Sequence, residues 1–426
     1  MSCLKWMALR FAFNMPIGGQ IKDKSLPLMC SKPFESQIYS TKQSCPRQQK
    51  KIRRGRRERF HNVVQHRQAD RAVFDLAGNP QTRVDYQETK QALAALLHIE
   101  GPPVSLRGDM HLDERILQAL DIDTRSVGGM ATPDTIHVRE EGGIIYDAFG
   151  IGYRMIDGRA EICYSPLKDC TLDELNAYEF PDPDRISRQK LEQWAKDAEW
   201  LHTQTEYAVI AEHPVLGVFE LGCWMFGFDD YLYRLLAEPE IVHAFSKRWL
   251  AYQKEVIRQY YGAIGAYIDA TTSGDDFGTQ KAQFMSTATF DEMIAPYMKE
   301  RISYTKKFTN AYYQHHTCGS VFGLIPSLLD CGIDILNPIQ PGVEKMEPER
   351  LKLAYGDVLA FWGGVDTQKL LPGASPQEVK QAVKKLLSVL DVNGGYILAP
   401  AHTIQHDVPA ENIIAMYQGA KEYYGQ

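Results

Sequence analysis

The chain reads as an α/β protein, a parallel TIM (β/α)8 barrel. Three observations predict this. From Arg57 onward, short apolar runs of strand type alternate with amphipathic helical patterns. Asp123 and Arg125, Glu220, Asp275 and Asp276, His316 and Cys318, Gln340, Asp366 and His402 fall at the predicted C-terminal ends of those runs, where a barrel gathers its site. No Gly-rich dinucleotide fingerprint follows any predicted strand, so the open doubly wound sheet lacks its usual signature.

The elements follow in chain order. Arg57 to His66 predicts a short helix, and Ala72-Val73-Phe74-Asp75-Leu76 a strand ending at Ala77-Gly78. Tyr86 to Leu97 is helical, and Ile122 to Val127 is a second strand. Gly142 to Tyr164 has the alternation of a hairpin, with a turn at Asp157-Gly158. Pro181-Asp182-Pro183-Asp184 is a loop before a helix over Ile186 to Thr203. Val215 to Leu221 reads as a strand, and Tyr231 to Tyr261 as one or two helices with Pro239 starting the second. Tyr267 to Ala270 is a strand leading into Ser273-Gly274-Asp275-Asp276, and Phe290 to Phe308 is helical. The run Asn310 to His315 leads, as a strand, to His316-Thr317-Cys318. Helix Gly323 to Leu329, strand Ile335 to Ile339, helix Glu347 to Ala354 and strand Leu359 to Gly364 come next. Helix Pro376 to Leu390, strand Tyr396 to Pro400 and helix Pro409 to Tyr424 complete the series.

Composition bounds the function. Of 426 residues, 44% are hydrophobic and 24% charged, the balance of a globular protein. The longest apolar candidate for a membrane span, Pro214 to Phe228, is too short and contains Glu220. Eight scattered cysteines form no small-domain disulfide framework, which predicts a reducing, cytoplasmic setting. Residues 1–57 hold thirteen Lys and Arg against two acidic residues, leaving 34 against 52 for the remainder. The basic run has no interleaved aromatics and the body is acidic, so no nucleic-acid partner is expected. Residues 1–56 lack apolar periodicity and read as a disordered basic extension, a targeting peptide or the product of an upstream start site. Residues 57–426 form the folded domain.

The site candidates rest on strand geometry. Residues i and i+2 of an extended segment point the same way, so His316 and Cys318 project together from one strand end. An imidazole and a thiolate so placed suit zinc, and His402, closing Pro400-Ala401-His402, is the natural distal partner. Three protein ligands with a fourth position open is a catalytic zinc layout. The blander alternative is a core cysteine beside a hydrogen-bonded histidine. His406 ranks behind His402, His315 faces the other way, Cys331 reads as packing, and Cys223 is a weak candidate. Glu220, set among Val218-Phe219 and Leu221, needs a partner, a metal or a raised pKa. Asp276 and Asp123 are the other candidate acids. Caps formed by Asp275-Asp276 and Asp366, and a salt bridge between Asp123 and Arg125, are the structural alternatives.

The motifs in combination resemble the uroporphyrinogen decarboxylase superfamily, which includes cobamide-dependent methyltransferases. The resemblance covers about Arg57 to Gly425. It begins with Arg57-Glu58-Arg59-Phe60 and Ala69-Asp70-Arg71. It is densest in His316-Thr317-Cys318-Gly319, Gly332-Ile333-Asp334-Ile335-Leu336-Asn337-Pro338-Ile339-Gln340, Gly363-Gly364-Val365-Asp366, Gly394-Gly395-Tyr396-Ile397-Leu398-Ala399-Pro400 and Val408-Pro409-Ala410-Glu411-Asn412-Ile413. It implies a TIM barrel, in agreement with the alternation. The decarboxylases carry a Met-Arg-Gln-Ala-Gly-Arg segment whose arginines hold substrate carboxylates. Here the matching Phe74-Asp75-Leu76-Ala77-Gly78-Asn79 keeps Ala-Gly and loses both arginines, and Asp75 is expected to repel such a substrate. The methyltransferase branch carries His-x-Cys and a distal Cys on zinc; His316 and Cys318 match the pair, and His402 stands at the distal position. The resemblance therefore implies a zinc-dependent methyltransferase acting between a small substrate and a corrinoid carried on a partner protein. A tetrapyrrole decarboxylase is the second reading, and a non-catalytic corrinoid- or tetrapyrrole-binding barrel the third.

Overall fold

A computed structural model describes residues 55–107, 111–131, 139–156, 159–183 and 186–426. The basic run before Gly55 and the predicted turn at Asp157-Gly158 lie outside the described residues. Eight parallel strands make one sheet: β1 (Val73–Phe74), β2 (Thr124–Val127), β7 (Ala208–Ala211), β8 (Ala270–Thr271), β9 (Tyr312–His316), β10 (Ile335–Asn337), β11 (Ala360–Trp362) and β12 (Tyr396–Leu398). Their order is β1-β12-β11-β10-β9-β8-β7-β2, so consecutive strands are neighbours after β7. Hydrogen bonds between β1 and β2 close the ring: Asp123 N–H donates to Phe74 O at 2.9 Å, and Phe74 N–H donates to Asp123 Oδ2 at 2.8 Å. Between β2 and β7 the chain makes a four-stranded antiparallel sheet, β3 (Arg139–Glu141), β4 (Ile144–Tyr146), β5 (Gly152–Ile156) and β6 (Arg159–Tyr164). The expected hairpin is thus the centre of a larger meander.

The barrel interior follows the period of two. Val73, Ala208, Ile210, Ala270, Ile335, Ala360, Trp362, Ile397 and Ala399 pack into one buried cluster. Alanines on β7, β8 and β11 make room for the fully buried Trp362. The N-terminal end is plugged by the helix Arg56–Val64, whose Phe60 and Val63 join that cluster. This helix starts one residue before the expected domain boundary. Arg56 reaches Asp121 at 2.5 Å and Asp123 at 3.1 Å, so it belongs to the folded domain.

Three expectations are corrected. Val215 to Leu221 is not a strand: the strand is Ala208–Ala211, and Val218–Phe226 is a helix. An apolar run of that length fits either element, and the helix is decided by a tertiary cap described below. Phe290 to Phe308 divides into Thr287–Met293 and Ala295–Thr305, with Pro296 in the first turn of the second. Asp123 and Arg125 do not lie at a strand's C-terminal end. Asp123 precedes β2 at the N-terminal face, fully buried, and takes Arg59 at 2.7 Å and Arg71 at 2.6 Å. Arg125 pairs with Glu114 at 2.7 Å rather than with Asp123. Among the described residues no helix is long and apolar enough to cross a membrane.

Candidate metal centre

β9 places Tyr312, Gln314 and His316 on one side of the strand, and His316 ends it at the C-terminal mouth of the barrel. Thr317 N–H continues the parallel pairing by donating to Asn337 O at 2.7 Å. Gly319 then turns with φ 89°, and a Cβ there would collide with the backbone of Gly278. This turn leaves Cys318 beside His316, with Sγ 3.3 Å from Nε2. His402 follows β12, held by Ala401 N–H donating to Val365 O at 2.8 Å. Its ring lies 5.5 Å from that of His316 in an edge-on arrangement.

One ligand atom from each of His316, Cys318 and His402 lies within 4.8 Å of the others. Ligands at about 2.0–2.3 Å from a tetrahedral zinc are separated by roughly 3.5 Å, so the Sγ–Nε2 spacing suits a shared ion. The ring orientation of His316 is also set. Asn337 Nδ2 donates to Trp362 O at 3.0 Å, which turns Asn337 Oδ1 toward His316 Nδ1 at 2.6 Å. A carbonyl oxygen only accepts, so Nδ1 carries the proton and Nε2 keeps its lone pair for a metal. Burial pushes the Cys318 thiol well up, with Asp276 and Glu220 adding to it. Burial likewise brings His402 down to about 4, with His316 as the second cause. Without a metal the Cys318 thiol and the His402 imidazole are therefore neutral, and binding one releases the thiol proton.

The acids sit around this group unequally. Asp276 is 44% exposed at its side chain. Its Oδ1 accepts from Cys318 N–H at 2.7 Å and stands 3.6 Å from His316 Nε2. Glu220 lies in the first turn of the helix Val218–Phe226, not on a strand. Burial raises its carboxyl well above the usual range, and the charges of Asp276 and Asp275 raise it further. Asp275 caps that same helix from another loop, accepting from Val218 N–H at 3.1 Å and Glu220 N–H at 2.8 Å. Burial brings Asp275 up to about 7 despite those bonds. Its own N–H donates to His316 O at 3.1 Å, so one loop ties the metal strand to the Glu220 helix.

The remaining candidates resolve by position. Asp123, at the opposite face, is not part of this group. Asp366 caps, accepting from Gln368 N–H at 2.7 Å. Gln340 accepts from Gly319 N–H at 2.7 Å. His315 bonds Ser273 at 2.9 Å and stacks on Phe277. His406 packs against Tyr86, and Cys331 is buried at the end of the helix Ile325–Cys331. Asp75 does not front a substrate space: it is fully buried and accepts from Thr82, Thr124, Trp362 Nε1 and Gly78 N–H. The repulsion expected of it is withdrawn; the missing arginines stand. Sequence reasoning missed Asn337 as the orienting group, and Glu212-His213, because the four-residue strand before them went unread.

The family model described as Uroporphyrinogen decarboxylase (URO-D) matches residues 135–423, about two thirds of the chain. No curated protein matches the chain in sequence. Among solved structures, a methyltransferase from Methanosarcina mazei is similar with a TM-score of 0.59 and 15% identity, over 87% of this chain and 99% of that one. A putative vitamin-B12 independent methionine synthase from Listeria monocytogenes aligns with a TM-score of 0.41 and 9% identity, over 83% of this chain and 99% of the other.

Proposed function

The chain belongs to the uroporphyrinogen decarboxylase family, and from that premise we propose that it is a zinc-dependent methyltransferase moving a methyl group between a small substrate and a corrinoid. The observation that carries the reading is the convergence of His316, Cys318 and His402 at the barrel mouth, with the lone pair of His316 Nε2 turned toward Cys318. The fold shared with the Methanosarcina methyltransferase is compatible with it. A decarboxylase acting on a carboxylate-rich tetrapyrrole is disfavoured, because Phe74-Asp75-Leu76-Ala77-Gly78-Asn79 offers no cation.

A zinc held by these residues supplies Lewis acidity, keeping a thiol deprotonated or polarising a methylated heteroatom. The chain's own residues do the rest. Asn337 fixes the His316 ring. Asp276 holds the Cys318 backbone and is the most exposed carboxylate beside the group. Glu220, whose carboxyl pKa is pushed well up by burial and by two neighbouring acids, can deliver a proton to a departing group. The barrel mouth admits the corrinoid, which we place on a separate partner protein. The compartment we propose is the cytoplasm.

Metal analysis tests the reading. Purified protein is expected to hold about one zinc per chain, and Cys318→Ser or His402→Ala to remove most of it. Stoichiometric zinc retained by the Cys318→Ser/His402→Ala double variant would sink the site.

A further inference from the structure

A second polar group stands across the mouth from the metal ligands. Glu212 is the first residue after β7 and continues the interior-facing series of Ala208 and Ile210. Its Oε1 accepts from Arg83 and from His111 Nε2 at 2.8 Å. Arg83 comes from the segment after β1, and its carbonyl accepts from Ile404 N–H at 2.8 Å, so it abuts the loop carrying His402. Only β8 separates β7 from β9, so the ends bearing Glu212 and His316 stand about 10 Å apart.

Two donors here lack acceptors. Arg83 Nε and Asn79 Nδ2 are buried without a hydrogen-bond partner among the described residues, and Asn79 is fully buried. A buried donor left unmet is unfavourable, so Arg83 Nε is placed to take an acceptor that arrives from outside. Arg83 and His111 also aim at a single oxygen of a single carboxylate, leaving donors for a second one. The metal side of the mouth differs: the exposed carboxylate of Asp276 stands 3.6 Å from His316 Nε2 and would repel an anion there.

We propose that Arg83 and His111 seat the carboxylate of the substrate, and that the substrate is a short-chain acid bearing its methylated heteroatom at the far end. The inference rests on the metal-site reading for what happens at that far end, but not for the anchor. Its length is bounded by the strand spacing, and its polarity by the acids near Cys318.

Isothermal titration calorimetry on the full chain, zinc-loaded and metal-free, tests it with two probes of equal length, 4-(methylthio)butanoate and 4-(methylthio)butan-1-ol. The acid is expected to bind one-to-one and at least ten-fold more tightly than the alcohol. Arg83→Gln should erase that preference, His111→Gln should reduce it, and Arg83→Lys should restore part of it, with melting temperature tracked in each. Equal affinity for acid and alcohol, no binding of the acid, or a preference untouched in both Arg83→Gln and His111→Gln would overturn the anchor. Because the preference needs no turnover, its loss with zinc intact would overturn the anchor alone. Its persistence in the metal-free protein is what the anchor predicts, and failure of that protein to take up zinc would count against the metal reading alone.

Discussion

Asn337 and Asp123 are both polar, buried and contributed by barrel strand segments, yet they serve opposite ends of the molecule. Asn337 stands at the mouth between Trp362 O and His316 Nδ1 and so decides which imidazole nitrogen is free. Asn337→Ala is expected to weaken zinc binding by about 10–100-fold in a chelator competition while leaving the fold intact. Asp123 stands at the closed end among Arg56, Arg59 and Arg71 and bridges β1 to β2. Asp123→Ala leaves three arginines facing an emptied site and should cost about 3–5 kcal/mol in denaturant unfolding, with zinc content per folded chain unchanged. An unaltered unfolding midpoint would contradict this assignment. The sequence could not tell these roles apart. A polar residue just before a short strand and one at its end look alike, and a shift of two or three residues exchanges the two faces of the barrel.

At the scale of elements, the helix Val218–Phe226 depends on a cap that no local pattern announces. Its N-cap residue, Gly217, makes no side-chain bond; the carboxylate of Asp275 fills that place from 58 residues away. A Cβ at Gly217 would collide with that carboxyl. Gly217→Ala should therefore cost about 1–2 kcal/mol of stability, the usual worth of a cap, and reduce turnover through the displaced Glu220. A melting temperature and rate equal to the parent's would show that the cap is dispensable. This cap explains what was legible and what was not. Strands closed by Gly or Pro, such as those before Gly319, Pro338, Gly363 and Pro400, announced their ends, and His316, Cys318 and His402 could be grouped from them. The apolar run from Val215 to Leu221 had no such mark, so Glu220 was placed on the wrong kind of element although near the right group. Ala208–Ala211 shows no polar alternation and has no Gly or Pro directly after it, so neither it nor Glu212 stands out in the sequence.

For the whole molecule, ring closure and the amino-terminal plug are one structure. The helix Arg56–Val64 fills the N-terminal end with Phe60 and Val63, while Arg57 binds Asp269 at 3.1 Å and Arg56 and Arg59 bind Asp123. A chain beginning at Gly55 should keep the melting temperature of the full sequence. One beginning at Arg59, without Arg56 and Arg57, should melt several degrees lower. Loss of soluble protein on the first truncation would show that the preceding segment packs on the domain. At the opposite end of the same barrel, His316 at the end of β9, Cys318 in the turn after it and His402 after β12 form a group that could hold a metal, where the proposed methyl transfer would take place. The most direct test is the rate of demethylation of methylcobalamin by added thiol, followed in its visible spectrum. Turnover is expected of the zinc-loaded protein, lost on metal removal, restored by zinc and absent in Cys318→Ser. Turnover indifferent to metal and to Cys318→Ser, or none above the buffer rate in zinc-loaded protein, would contradict it.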